Sequence, residues 1–104
     1  MKKRQYRSAK PFVEKLLKDP EIRVLFEAER AKTLIADAVR SARLRASLTQ
    51  VELAKLAKTT QAVISRIESG ADSRIPSLEL LSRIAGACNA TLSFAFSFQR
   101  KKAA

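Results

Sequence analysis

The sequence predicts a mainly α fold: an N-terminal helical extension, a compact helical domain and one C-terminal β-strand. Three observations predict it. Apolar residues recur at helical spacing from Phe12 to Ala87. Helix-capping and turn residues punctuate that stretch at Asp19-Pro20, Thr49, Thr60 and Gly70. After Asn89 the period drops to two, with Leu92, Phe94, Phe96 and Phe98 alternating with Ser93, Ala95 and Ser97. The division that follows is a basic arm and helical extension over 1–31, a helical domain over 32–90, and a strand with a basic tail over 91–104.

Composition narrows the function classes. The chain has 104 residues and a formal net charge of +11, from 21 Lys+Arg against 10 Asp+Glu. That balance favours polyanionic partners through phosphate neutralisation. The charge is uneven: residues 1–20 hold seven basic and two acidic side chains, residues 61–80 two and three. There is no His, and Cys88 is the single cysteine. A disulfide framework, a Cys/His zinc site and a Cys–His nucleophile are therefore excluded. With no clustered acids suited to a metal, an enzyme lacks its parts, and no cofactor is expected. The basic N-terminus is not followed by an apolar signal-peptide region, and no apolar run approaches a membrane span. A cytoplasmic protein is expected.

In chain order, Met1 to Lys10 reads as a flexible basic arm. Pro11 to Lys18 forms two turns of helix, with Pro11 at the first position and Phe12, Val13, Leu16 and Leu17 on one face. A segment so short must dock to persist. Asp19-Pro20-Glu21 starts a second helix, with a cap, a proline and an acid in the first turn. It runs to about Arg45, and its apolar stripe changes phase. Ile22, Leu25 and Phe26 share one face; Leu34, Ile35, Ala38 and Ala42 share another, displaced by roughly half a turn. Either the helix breaks near Glu27–Arg30, or one long helix carries patches on opposite sides. The earlier patch, with Phe12 and Leu16, then marks an interface. Arg40, Arg43 and Arg45 either cap this helix or meet phosphates.

Thr49-Gln50-Val51-Glu52 is a capping box, so a helix starts at Gln50, with Leu53, Ala54, Leu56 and Ala57 at helical spacing. Lys58-Thr59-Thr60 breaks the pattern, and Thr60 caps the next helix. There Val63, Ile64 and Ile67 face inward, Gln61, Ala62, Ser65 and Arg66 outward, and Ser69-Gly70 supplies the stop. Two helices of about two turns on a short turn make a helix-turn-helix. A loop through Pro76 leads to a helix ending at Ala87, with Leu78, Leu81, Ile84 and Ala85 inward, Asn89 at its end and Cys88 a buried small hydrophobe. The terminal strand has no ladder partner in a helical chain, and its backbone groups need one. The same strand from a second copy would supply it, so Leu92, Phe94 and Phe96 are the dimerisation candidates.

Residues Leu48-Thr49-Gln50, Glu52-Leu53-Ala54, Thr60-Gln61, Ile64 to Glu68 and Gly70, with Pro76, Leu80, Ile84 and Ala85, resemble the Xre/Cro/phage-repressor family over roughly residues 32 to 88. The resemblance implies a five-helix lambda-repressor-like helix-turn-helix domain that reads a palindromic operator in double-stranded DNA as a homodimer. Lys58 stands at a turn position often held by glycine in that family, at a strain on the order of 1 kcal/mol if its φ is positive. Gln61, Ala62, Ser65 and Arg66 would face base edges; Arg43, Gln50, Thr60 and Arg74 would meet phosphates.

The wider layout carries a second resemblance. Phe12, Leu16, Asp19-Pro20-Glu21, Phe26, the domain from Lys32 to Cys88, and Leu92-Ser93-Phe94 look like the HigA-like antitoxins of type II toxin–antitoxin pairs. This implies neutralisation of a small RelE-like ribonuclease toxin, with Phe12, Leu16, Ile22 and Phe26 as the contact set, and repression of the shared operon. Such toxins are usually basic, as is this N-terminus, so apolar contacts would carry that interface. The competing reading is a free-standing Xre-family repressor with no toxin partner.

Overall fold

The computed structural model describes residues 2–98, with side chains from Ala9 onward. Five helices follow in order: α1 Lys2–Leu16, α2 Pro20–Arg45, α3 Gln50–Leu56, α4 Gln61–Ser69 and α5 Leu78–Ala87. Helix α2 packs on α4 and α5, and α3 packs on α4 and α5. The core lies between these four. Leu53, Ala57 and Ile64 are fully enclosed, with Val39, Ala54, Ile67, Leu81, Ile84 and Cys88 around them. Helix α1 is not among the packed pairs.

The caps fall where the sequence puts them. The Asp19 carboxylate accepts from the Glu21 amide at 2.9 Å and starts α2. Thr49 Oγ1 accepts from the Glu52 amide at 3.0 Å, and Glu52 Oε1 accepts from the Thr49 amide at 2.9 Å, closing the capping box. Thr60 accepts from the Val63 amide and Ser77 from the Leu80 amide. The helix ends follow a common rule. Helices α2, α3 and α5 each end in paired bonds, Ser47→Leu44 with Leu48→Arg43, Lys58→Lys55 with Thr59→Ala54, and Asn89→Gly86 with Ala90→Ala85. This is the Schellman arrangement, which needs a left-handed residue after the cap. Ser47 (φ 57°), Lys58 (φ 56°) and Asn89 (φ 56°) fill it without a glycine. Gly70 (φ 69°) ends α4.

The structure corrects several expectations and decides one alternative. Residues 2–10 belong to a helix, not a flexible arm, and Pro11 lies inside α1 rather than at its start. Proline there costs one backbone bond but continues a helix already formed on its N-terminal side. Helix α2 is unbroken over 26 residues, which selects the single long helix with two patches. Its buried positions are Ala36 and Val39, with Ile35 and Ala42 against the core, whereas Leu34 and Ala38 are exposed. Leu56 and Leu78 are likewise exposed. They sit at the ends of short helices, where a rotation of one residue moves a side chain off the narrow inner stripe. Among the described residues there is no β-strand: Thr91 to Phe98 form no regular element and no backbone hydrogen bond. A strand exists only with a partner, and one chain offers none. Gln99 and the basic residues of the tail lie outside the described residues.

Candidate nucleic-acid interface

Helix α4 presents the polar face. Its inner side, Ile64 and Ile67, is locked in the core, which fixes the rotation of the helix about its axis. Gln61, Ala62 and Arg66 are thereby exposed, and Ser65 is half-buried beside them. Gln61 is the first residue of α4, and Gln50 is the first of α3. Their side chains meet: Gln61 Nε2 donates to Gln50 Oε1 at 3.1 Å. The two helix starts thus share one edge of the domain. Thr60 sits on that edge, its oxygen accepting from Val63 at 3.2 Å and its hydroxyl proton remaining for an outside acceptor.

Behind this edge lies a charge that holds it. Glu68 is 5% exposed, the one buried charged residue among those described. Its carboxylate receives Arg43 Nε at 2.7 Å and Arg43 Nη2 at 3.0 Å, a two-pronged pair. Gln50 Nε2 reaches the same carboxylate at 3.4 Å. Arg43 Nη1 donates to the Leu48 carbonyl at 2.9 Å, and Arg40 reaches the Glu68 carbonyl at 3.5 Å. The hydrogen bonds that Arg43 donates to Glu68 hold its guanidinium above its ordinary pKa against the opposing effect of burial. A chain of contacts therefore runs Arg43–Glu68–Gln50–Gln61, from α2 through the core to the exposed start of α4. It ties three helices together where the polar face needs a fixed geometry.

The structure accordingly gives Arg43 another partner than the phosphate expected of it, because its guanidinium is turned inward onto Glu68 and Leu48. Sequence reasoning missed Glu68. The signal was present: Glu68 lies four residues after Ile64, on the inward side of α4, and an acid at such a place requires a cation or a network of donors. Arg74, in the loop after α4, is exposed, and it lines one small cleft with Lys32 and Arg66. Asp72 borders the cleft and its carboxylate accepts from the Arg74 amide at 3.1 Å. Arg66 and Arg74 thus stand together at the far end of α4 from Gln61. The arrangement is a helix with amide and hydroxyl groups at one end and two cations at the other, mounted on a rigid core.

Comparison with protein families matches residues 39–94 to the helix-turn-helix family. The chain belongs to the Xre/Cro-type helix-turn-helix family. No curated protein and no solved structure matches it. As a member of that family it is a DNA-binding transcriptional regulator. The match takes in the last turns of α2 and all of α3, α4 and α5, so the polar face falls inside it, and α1 and the first part of α2 fall outside. No helix among the described residues is long and apolar enough to cross a membrane.

The remaining sequence candidates lie away from α4. Phe12 (64% exposed), Leu16 and Phe26 (46%) are exposed and Ile22 is half-buried, on α1 and the first turns of α2. A shallow surface cavity of about 330 Å³ is lined by Phe26, Glu29, Arg30, Thr33 and Leu34. Phe94 and Phe96 are exposed on the C-terminal segment, and Leu92 lies closer in.

Proposed function

We propose that this Xre/Cro-type protein is a cytoplasmic, non-enzymatic antitoxin that binds its own operator as a homodimer and neutralises a small RelE-like ribonuclease toxin. The observation that carries the reading is the separation of two surfaces. The α4 face belongs to the family's DNA-reading unit. Phe12, Leu16, Ile22 and Phe26 lie outside that unit, with three of the four exposed. Apolar side chains of this size left in water point to a protein partner. The resemblance of Phe12, Leu16, Asp19-Pro20-Glu21 and Phe26 to HigA-like antitoxins supports a toxin as that partner.

On DNA, Gln61, Ala62, Ser65 and Arg66 face base edges, Arg66 suited to guanine N7/O6, Gln61 to adenine and the Ala62 methyl to thymine. Gln50, Thr60 and Arg74 meet phosphates and set the register. Two half-sites lie about 10 base pairs apart centre to centre, or a multiple of that. Arg66→Ala costs about 1–3 kcal/mol at one base step per half-site and relaxes specificity there. Equal loss on operator and random DNA would remove Arg66 from base readout.

The partner is tested by co-expression with both flanking genes and recovery through a C-terminal tag after a high-salt wash. A stoichiometric small protein that arrests growth when expressed alone is the expected result. Recovery of a homodimer that shifts its own promoter, with no second protein, leaves a free-standing repressor.

A further inference from the structure

The C-terminal segment and a groove beside α2 are both uncovered, and each fits the other. Ala38 and Ala42 of α2 line two adjoining grooves that share Ala90 as a wall. One, of about 740 Å³, continues over Ser41, Ala46 and Ala87. The other, of about 230 Å³, is floored by Val39, Leu81 and Ile84. The lining is dominated by small side chains, so the surface is a depression rather than a ridge. Leu92 lines the smaller groove, and there the chain stops using it. Phe94, Phe96 and Phe98 follow at 73%, 81% and 92% exposure. The Phe94 and Phe96 ring centroids stand 6.3 Å apart, about two residues of extended rise, so the two rings share one side of the segment.

We propose that Phe94, Phe96 and Phe98 of one copy seat in the alanine-lined groove of a second copy, and the reverse, so that groove filling holds the dimer together with any pairing of backbone. The inference rests on the dimer of the proposed function and names its contact. The occupant is a second copy because ligand and receptor are displayed on the same chain, which reaches the smaller groove only through Leu92 and its neighbours and leaves the three rings in solvent. Reciprocal exchange satisfies both and closes at two, whereas one-way insertion would leave a groove and a segment free at each end of a chain of copies. The area suffices. A phenylalanine buries roughly 150–250 Å², so three from each copy remove on the order of 1,000 Å², the lower bound of a specific interface.

Sedimentation equilibrium on the full chain tests it. Ala38→Trp fills the groove from an exposed position, and Ser41→Trp blocks it again from the rim; far-UV circular dichroism melts check that both remain folded. Phe94→Ser/Phe96→Ser empties the segment. Groove-blocked and segment-emptied homodimers should each dissociate about 100-fold more readily than wild type or worse. Mixed, they should form a heterodimer tighter than either homodimer, since one segment then meets one open groove. A wild-type dimer weakened by the Phe substitutions yet indifferent to Trp at both groove positions would overturn groove exchange and leave the dimer standing on strand pairing. A monomeric wild-type chain would overturn the dimer itself. Restoration of a dimer only on adding the co-purified toxin would assign the groove to that protein instead.

Discussion

Two regions of this chain spend their apolar residues in opposite ways. Between Ile35 and Cys88, branched side chains meet one another across α2 to α5, and each helix start carries a side-chain cap. Between Phe12 and Leu34, Phe12, Val13, Leu16, Val24, Leu25, Phe26 and Leu34 meet solvent instead. Both regions hold large branched and aromatic or aliphatic side chains; their topology differs. A helix buries a stripe only if another helix returns to cover it, and among the described residues none packs over the first half of α2. The first region covers most of its apolar surface within the chain, while the second leaves it in solvent.

The contrast breaks or stands on paired truncations. Ile64→Ala removes a fully enclosed side chain and should cost about 2–5 kcal/mol in urea unfolding. Leu25→Ala, a cut of the same size on the uncovered face, should stay within about 0.5 kcal/mol. A large loss at Leu25 in the isolated protein would mean that the extension is covered by the chain's own domain, and the interface reading of that face would fall.

The ion pair at the centre of the first region gives the next effect. Arg43 and Glu68 have side-chain exposures of 14% and 3%. Removing one partner leaves the other charge without its counter-charge in a dry place, so Glu68→Leu should cost about 3 kcal/mol. The double change Arg43→Leu/Glu68→Leu should recover most of it, because a hydrophobic pair of similar volume avoids the desolvation penalty. Operator affinity separates the roles of the pair. If Glu68 also steadies Gln50 and Gln61, the double variant regains stability while its operator binding, measured by titration, stays weakened.

How much of this was legible before the structure follows from the kind of signal each feature leaves. Thr49–Glu52, Thr60, Asp19 and Gly70 act on neighbours within a few residues, so residue type and spacing were enough to place them. The outward set Gln61, Ala62, Ser65 and Arg66 was legible for the same reason, since Ile64 and Ile67 fix the phase of a short helix. The inward position of Glu68 on α4 was legible too, but its partner was not, because Arg43 lies 25 residues earlier and only the crossing of α2 over α4 brings them together. Arg43 was misplaced for the matching reason: a basic residue near a helix end reads as a phosphate contact until an acid is seen facing it. The alternation of Leu92 to Phe98 encodes which side chains share a face, but a strand is a relation between two segments, and among the described residues no second segment pairs with this one.

A weaker effect tests the capping box. Thr49→Ala removes the hydroxyl that accepts from the Glu52 amide, a bond between uncharged groups that persists in acid, and should cost about 1 kcal/mol. The Glu52 half titrates. The bonds from the Thr49 backbone amide, and then its side chain, hold the Glu52 carboxyl below its ordinary pKa. A pKa lowered by folding gives stability that is present above the unfolded value and is lost as pH falls through the folded one. The difference between wild type and Glu52→Ala should therefore be seen at neutral pH and close in acid, while that for Thr49→Ala stays open.

The smallest effect reverses the usual sign. Lys58 holds φ 56° at the turn of the helix-turn-helix, a conformation that costs a residue with a Cβ on the order of 1–2 kcal/mol. Glycine there relieves the strain but frees the unfolded chain, which returns about 0.4–1 kcal/mol of the gain. Lys58→Gly should thus stabilise the protein by roughly 0.5 kcal/mol, the difference of those terms. Lys55→Gly, three residues earlier and inside α3, should cost about 1 kcal/mol. Opposite signs at two exposed lysines one turn apart would show that backbone conformation, and not charge, sets the effect. If Lys58→Gly destabilises as much as Lys55→Gly, the left-handed turn is not strained, and lysine serves there as well as glycine would.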